Sequence, residues 1–569
     1  MDSSPLAIGI DFGTASARAL LLDLSSGEEL SLCELEYAHG VIDNSLPATG
    51  EPLPDDWALH DPDDYVQVLG QGIASVLADV PGAAERVVGI GVDATSCTVL
   101  PVTGEGVPLC SLPAWRGRPH AWPKLWKHHA AAPVAERLNE VAAERHEPFL
   151  ARYGGRISSE WYFPKLVQIW LEDREVYDAT DHFVEVTDWV VWQLCGRLRR
   201  SACPAAYKAL WSPSEGIPGA GYFEAAYPGF SRPQDKLGQD FYPLGSQAGT
   251  LRAELAAKTG LSEQVAVAVG NVDSFVSFPG AGAEGPGSYV MVIGTSICDL
   301  VVHPKEIPLL GITGVAESGI LPGLFGYEAG QPAVGDMLAW FATLVNGQRW
   351  GTGDGGGGKS SGSDTTSTLL SLESAAAALA PGQSGLVALD WWNGNRSILA
   401  DAGLSGVIAG LTLQTGPAEI YRALMESIAY GNQAIMDNFA AGGLASQEVI
   451  ACGGIAEKSP LLMQMLADVS GLPVKVPASS QVPARGAALF GAVAAGPQAS
   501  GYAGIVEAAK ALRPGEARAY YPDPRATAAY RQVYGIYKGL HDNLGRGRPN
   551  WLHELKRAKA QAGAVPSAH

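Results

Sequence analysis

Short apolar runs bounded by glycine-rich turns alternate along this chain with stretches of helical spacing, the pattern of an α/β protein. Ile8 and Ile10 alternate with small or polar residues, and three strands of a meander are predicted at residues 6–11, 17–23 and 29–37. Asp61-Pro62-Asp63-Asp64-Tyr65 opens a helix that runs to Ala78. A buried strand is expected at residues 87–93. Residues 115–150 read as largely helical, with His128-His129 on a solvated face. Ile157–Lys165 opens another helix with a serine cap and an early acidic residue. Further strands are expected at residues 265–270 and 385–390, and helical spacing covers residues 338–345 and 459–470. Glu419–Phe439 is a long helix with Ile420, Leu424, Ile428 and Ile435 on one face. Arg485-Gly486-Ala487-Ala488 starts a small-residue helix suited to close packing, and the tail beyond Trp551 is expected to fray.

One turn in this pattern carries chemistry. Between the first two strands lies Asp11-Phe12-Gly13-Thr14-Ala15-Ser16. Gly13 lets the backbone approach a ligand without a Cβ in the way. Successive N–H groups from Thr14 onward make an anion-binding nest, the place for a phosphate. Asp11, at the strand end, is placed to hold a cation or its bound water, so the stretch suggests a nucleotide with Mg²⁺. A second copy, Ile293-Gly294-Thr295-Ser296, lies between apolar strands at residues 289–302, with Val292 where the first copy has Asp11. Two related hairpins so far apart imply two similar halves facing each other across a cleft. A third element, Val449–Ser459, is a strand entering the Gly453-Gly454 turn and then a helix that includes Lys458. Paired glycines there let a flat adenine lie against backbone.

Candidate partners of a second substrate sit at other strand ends, where open α/β sheets collect ligands. Asp93-Ala94-Thr95-Ser96-Cys97-Thr98 is either a substrate turn with Ser96 or a turn using its own side chains for local hydrogen bonds. Lys208, between Tyr207 and Trp211, reads as a hydroxyl or phosphate contact, or as a surface lysine snorkelling over aromatics. Asp273 follows the strand at residues 265–270 and is the best candidate for a general base, although a helix N-cap would look the same. Glu328 again lies where a strand should meet a loop.

The chain has 569 residues, 47% of them hydrophobic and 17% charged, enough for at least two domains with full cores. A formal charge of −20 argues against sequence-independent nucleic-acid binding but not against a nucleotide. The seven cysteines are widely spaced without a C-x-x-C pair, which suits reduced thiols. No apolar run reaches the ~18–20 residues of a membrane helix, and Met1–Pro5 shows no signal-peptide pattern, so a cytoplasmic protein without membrane partners is expected. Gly353–Ser360 matches the P-loop spacing but lacks a preceding strand, and its Ser, Thr, Gly and Asp continuation to Thr368 reads as a low-complexity loop.

The three glycine turns resemble those of the sugar-kinase, chaperone and actin superfamily. More specifically, the chain is similar to the FGGY carbohydrate kinases, and among them to members that phosphorylate L-ribulose. The likeness is carried by Asp11–Thr14, Val92–Thr98, Ser158–Trp161, Tyr207–Trp211, Ile293–Ser296, Glu328–Gln331, Leu389–Gly394, and Gly406–Leu411 with Glu419–Ala423. It runs from Ile8 to about Ala495 and departs at Asn271 and at the glycine-rich loop near Lys359.

The resemblance implies two actin-like (ribonuclease H-like) domains closing over MgATP and a ketopentose. They would span residues 1–280 and 281–510, with a helical extension at 511–569. Ser96, Lys208, Asp273 and Glu328 would contact the sugar, with Asp273 as base. Gly13, Thr14, Gly294 and Thr295 would meet phosphate, Gly453, Gly454 and Lys458 the adenosine side, and Asp11 the metal. The implied reaction moves the γ-phosphoryl group of ATP to the terminal hydroxyl of L-ribulose, giving L-ribulose 5-phosphate in L-arabinose catabolism. Another pentulose or polyol kinase is the nearest alternative, and a non-catalytic actin-like ATPase a more distant one. A homodimer is left open.

Overall fold

The computed structural model describes residues 4–238, 240–346 and 362–563. The P-loop-like run Gly353–Ser360 lies outside the described residues. Among those described, no helix is long and apolar enough to cross a membrane.

The alternating and continuous apolar runs form two seven-stranded sheets of one plan. The first holds β1 (Leu6–Phe12), β2 (Ser16–Asp23), β3 (Glu29–Glu36), β4 (Val87–Ala94), β5 (Gln247–Thr250), β6 (Ala266–Ala268) and β7 (Asn271–Val272). Its order is β3-β2-β1-β4-β6-β5, with β7 extending the line of β6 beside β4. The second holds β8 (Ser288–Ile293), β9 (Ile297–His303), β10 (Gly314–Glu317), β11 (Phe325–Gln331), β12 (Glu448–Cys452), β13 (Val474–Pro477) and β14 (Glu516–Tyr520). Its order is β10-β11-β9-β8-β12-β13-β14. In each sheet an antiparallel meander meets a parallel strand at its first member, β1 beside β4 and β8 beside β12. The repeated glycine hairpins thus sit at equivalent corners of two equivalent sheets. The last strand, β14, shows that the segment after residue 511 is not helical throughout.

Three helices position the site. They are α1 (Tyr162–Glu172), α2 (Asp273–Gly280) and α3 (Val482–Ala495). A core layer that includes Ala7, Leu22, Val290, Leu300, Ile450, Phe275, Val276, Ala488 and Leu489 joins both sheets through α2 and α3. The small residues of α3 have a definite purpose. A Cβ on Gly9 would lie 1.8 Å from the Ala484 carbonyl oxygen, and one on Gly91 would lie 1.8 Å from that of Ala487. Glycines on the sheet let the α3 backbone rest directly on it. Side chains drawn from residues 42–59 and from parts of 97–241 build a separate aromatic-rich lobe, while Val184–Cys195 joins the core of the first sheet.

Some expectations need correction. Residues 115–150 contain one α-helix, Ala132–Glu144, with 3₁₀ turns at Pro119–Ala121 and Pro148–Tyr153. Prolines at 119, 123, 133 and 148 interrupt any longer run. His128 is not on a solvated face: it is buried, 2.8 Å from Gln168 Oε1, with its ring edge-on to Trp57. The serine cap expected before α1 is absent, since helix starts at Tyr162 and Ser158 accepts from the Glu160 N–H in the preceding turn. The predicted loop continuing to Thr368 is instead the start of a helix, Gly362–Ala377. Leu372 and Ala376 are buried on it, and that packing outweighs the weak helix propensity of the Ser/Thr stretch. The tail beyond Trp551 is helical to Gly563.

Candidate active site

The first hairpin closes with the Gly13 N–H donating to the Ser16 carbonyl at 3.0 Å, and the second with the Gly294 N–H donating to Ser296 at 2.9 Å. Thr14 Oγ1 accepts from the Trp126 indole at 3.1 Å. Gly294 and Thr295 are exposed at the corner of the second sheet. Gly453 follows β12 with φ +94°, and a Cβ there would meet the Ile293 carbonyl oxygen at 2.6 Å. Glycine is therefore required where the Gly453-Gly454 turn presses against the strand leading to Gly294. Lys458 is exposed on the last turn of the helix Gly454–Lys458, and no contact among the described residues ties it to the other candidates.

Asp11 and Asp93 are paired across the parallel strands β1 and β4, so two buried carboxylates face each other. Burial raises the pKa of both, that of Asp93 far above the carboxylate range, with Asp11 and Asp273 adding repulsion. Arg18 reaches Asp11 at 3.4 Å, and its other amine donates to Glu34 at 2.7 Å. Neither carboxylate oxygen of Asp93 accepts a hydrogen bond from a described residue. Among the described residues no three His, Cys, Asp or Glu side chains converge closely enough to enclose a metal by themselves.

Asp273 is the first residue of α2; Val272, not Asp273, occupies the N-cap position. Its Oδ1 accepts from the Ser274 N–H at 2.6 Å. The side chain is half-buried. Burial, followed by repulsion from Asp11, pushes its pKa up to about 7.

Lys208 is not a surface lysine. It is buried, and its Nζ donates to Glu328 Oε2 at 2.7 Å. Lys208 comes from the lobe on the first half and Glu328 from the middle of β11 in the second, paired with both neighbouring strands rather than at the strand-to-loop junction expected, so the pair bridges the halves. Burial pulls the lysine pKa down, but Glu328 outweighs it and the net shift is upward. Trp161 lies 5.7 Å from the ammonium and Phe275 6.0 Å. The Cys298 thiol approaches Glu328 Oε1 at 3.8 Å. Ser96 is half-buried on the turn after β4, next to Cys97, whose thiol lies in the electrostatic reach of Lys208.

Asp11, Ser96, Lys208, Asp273 and Glu328 therefore gather in one neighbourhood, while the Gly294 and Gly453 turns form an adjoining ledge. Sequence reasoning assigned no role to Arg18, Trp126 or Cys298, and read Asp93 only as part of the Asp93–Thr98 turn, not as a partner of Asp11. That pairing could have been found, because Asp93 ends β4 as Asp11 ends β1. Trp126 and Cys298 carry no local signal.

A cleft between two matching sheets, with a phosphate-type hairpin on each and carboxylates between them, defines a phosphotransferase of the actin-like fold. Models of the FGGY family of carbohydrate kinases match residues 6–280 (N-terminal domain) and 289–495 (C-terminal domain). The chain belongs to that family and is an ATP-dependent carbohydrate kinase. It is 48% identical over 554 residues to the ribulokinase of Halalkalibacterium halodurans, covering 97% of each chain. It is 42% identical to the ribulokinase of Mycolicibacterium smegmatis, covering 95% of this chain and 94% of the other. Among solved structures it resembles xylulose kinase from Rhodospirillum rubrum, with a TM-score of 0.76 and 22% identity over 96% of this chain and 100% of the other. At that identity the likeness speaks for the fold.

Proposed function

We propose that this kinase phosphorylates the terminal hydroxyl of L-ribulose in the cytoplasm, with residues 1–280 and 281–510 as its two closing units. The observation that carries the reading is the buried Lys208–Glu328 pair joining the two halves beside a half-buried aspartate, Asp273. The full-length relatives named ribulokinase support the choice of sugar.

Asp273 is the general base. A carboxyl group with a pKa near 7 holds a substrate proton better than an ordinary aspartate, and about half of it is ionised and ready to act at neutral pH. Its position at the N-terminus of α2 fixes the carboxylate against the Ser274 N–H, leaving the second oxygen for the sugar hydroxyl. Lys208 and Glu328 present one donor and one acceptor set to neighbouring hydroxyls, and Ser96 adds a third contact. Because both lobes contribute, sugar binding favours the closed cleft, which excludes water as a competing nucleophile. Gly13, Thr14, Gly294 and Thr295 meet the ATP phosphates, and Gly453 and Gly454 lie under the adenosine.

The acidic pair fits Mg²⁺. Two facing acids, one with no partner among the described residues apart from the other acid, are relieved by a divalent cation. Asp11 and Asp93 would hold the ion, with water and phosphate completing its ligands. Mg²⁺ would neutralise charge on the phosphates during transfer.

The test is a coupled ADP-release assay with L-ribulose, D-xylulose, ribitol and glycerol. L-Ribulose should show the highest kcat/KM. No turnover with L-ribulose, or a higher kcat/KM with D-xylulose, would overturn the reading.

A further inference from the structure

Lys165 is among the most deeply buried charges in the molecule. It lies on α1, and none of its solvent-accessible surface remains. No carboxylate forms an ion pair with it among the described residues. Its Nζ instead donates to three backbone carbonyls, of Cys97 at 2.5 Å, Leu125 at 2.8 Å and Lys124 at 3.3 Å. Three donors meeting three acceptors satisfies the ammonium completely. Burying a charge in this way is costly unless each of its hydrogen bonds is made.

The three carbonyls belong to two strips of chain that meet at the sugar side of the cleft. Cys97 follows Ser96 on the turn after β4. It adopts φ +64°, the left-handed region that a residue with a Cβ enters only under constraint. Lys124 and Leu125 belong to the strip that pairs with Val99 through two backbone bonds, the Val99 N–H to Lys124 at 3.1 Å and the Lys124 N–H to Val99 at 3.0 Å. The turn has other ties, from the Thr95 N–H to Phe12 and from the Val186 N–H to the Thr98 carbonyl. Among the described residues only Lys165 binds the Cys97 carbonyl itself, at the strained residue.

We propose that Lys165 is a positioning residue for sugar recognition: it pins the left-handed Cys97 and so aims Ser96 into the sugar site. This rests on the assignment of Ser96 to the sugar. Lys165 touches neither substrate. Its effect on the reaction passes through the turn, and its loss releases the turn without disturbing the nucleotide ledge around Gly294 and Gly453.

The experiment compares Lys165→Met, which keeps the volume and removes all three donors, with Lys165→Gln, Ser96→Ala and the Lys165→Met/Ser96→Ala double variant in the full-length enzyme. Hydrogen bonds to charged groups are strong enough that kcat/KM for the ketopentose turned over by the wild type should fall about tenfold or more, with ATP KM changed less than about twofold. The Ser96→Ala loss should largely disappear in the Lys165→Met background, because a released turn no longer presents Ser96. A second readout does not depend on which sugar is used. Cys97, buried in the wild type, should be alkylated by iodoacetamide faster in Lys165→Met, as followed by peptide mass spectrometry. Additive sugar effects, an equal rise in ATP KM, or unchanged Cys97 protection would each overturn the proposal. If the methionine chain does not accumulate, wild-type sugar kinetics and Cys97 protection in Lys165→Gln would overturn it as well. A wild type inactive on L-ribulose but active on another ketopentose would sink the substrate assignment and leave this test intact.

Discussion

Asp273 and Asp93 feel each other's charge in one site, yet their surroundings give them different work. Asp93 is fully buried against Asp11, whereas Asp273 is half-buried with a pKa near 7. Asp273→Asn should cut kcat by ~10²–10⁴-fold while calorimetry shows unchanged ATP binding; wild-type turnover would rule the base out. The acid must be ionised to accept a proton, so kcat/KM in the wild type should rise with pH through about 7 and level off above it. The buried pair makes a second prediction at this scale. Lys208→Ala or Glu328→Ala leaves one buried charge without its partner, which typically costs ~3–5 kcal/mol of stability. Sugar KM should rise in both variants with ATP KM little changed, and Lys208→Ala/Glu328→Ala should be more stable than the sum of the single losses. An unaltered sugar KM in both single variants would remove the pair from the sugar site. The sequence placed Asp273 at a strand end because strand ends are legible from periodicity, but it put Glu328 at a strand end too, whereas Glu328 lies in the middle of β11, paired on both sides. It left Lys208 ambiguous, since the carboxylate that explains its burial is 120 residues away.

At the scale of elements, the contact of α3 with the first sheet decides how the halves hold together. Its glycine and alanine run was legible as a close-packing helix, but nothing local names the surface it packs on. That surface is the glycine stripe Gly9, Gly89 and Gly91 on β1 and β4. Gly91→Ala would drive a methyl group to 1.8 Å from the Ala487 carbonyl oxygen, so the helix must lift from the strand. Overpacking of this kind costs ~1–3 kcal/mol or more, and the melting temperature should fall by several degrees. The same change at Gly454, where no atom lies within 4 Å of the added Cβ, should leave the melting temperature nearly unchanged. Equal effects at the two sites would show that α3 does not bear on the sheet as described. The helices misread in residues 115–150 fail for a related reason: prolines and aromatic packing in the lobe, not periodicity, set their ends.

For the whole molecule, the two-sheet plan was legible from the paired hairpins alone, because each glycine turn lies between strands of one repeated topology. What the sequence does not carry is the number of acids the fold buries around that plan. Asp188 and Asp299 are held up to about 7 and Glu185 to about 8, chiefly by burial. Asp188 accepts from the Ser201 N–H at 2.9 Å and Asp299 from Asn432 at 2.9 Å, bonds too few to offset the lost hydration. In the unfolded chain these groups lose their protons near ~4. The folded state therefore binds more protons than the unfolded state between about pH 4 and 7–8, and the stability they contribute is complete below ~4 and declines as pH rises through 7–8. Buried His60 and His120, lowered to about 4, act in the opposite sense only below the normal histidine value of 6.5. Lys165, lowered to about 8, opposes the acids only from there upward. Between pH 6.5 and 7.5 the acids should dominate, so the urea midpoint of the ligand-free enzyme should fall across this interval with an unchanged slope against urea. Asp299→Asn should reduce that fall. Activity should climb across the same interval as Asp273 ionises, so the enzyme gains rate as it loses stability. A urea midpoint that rises from pH 6.5 to 7.5 would mean the buried acids are ionised in the folded state, and with that the reading of Asp273 as a base tuned near neutrality would fall too.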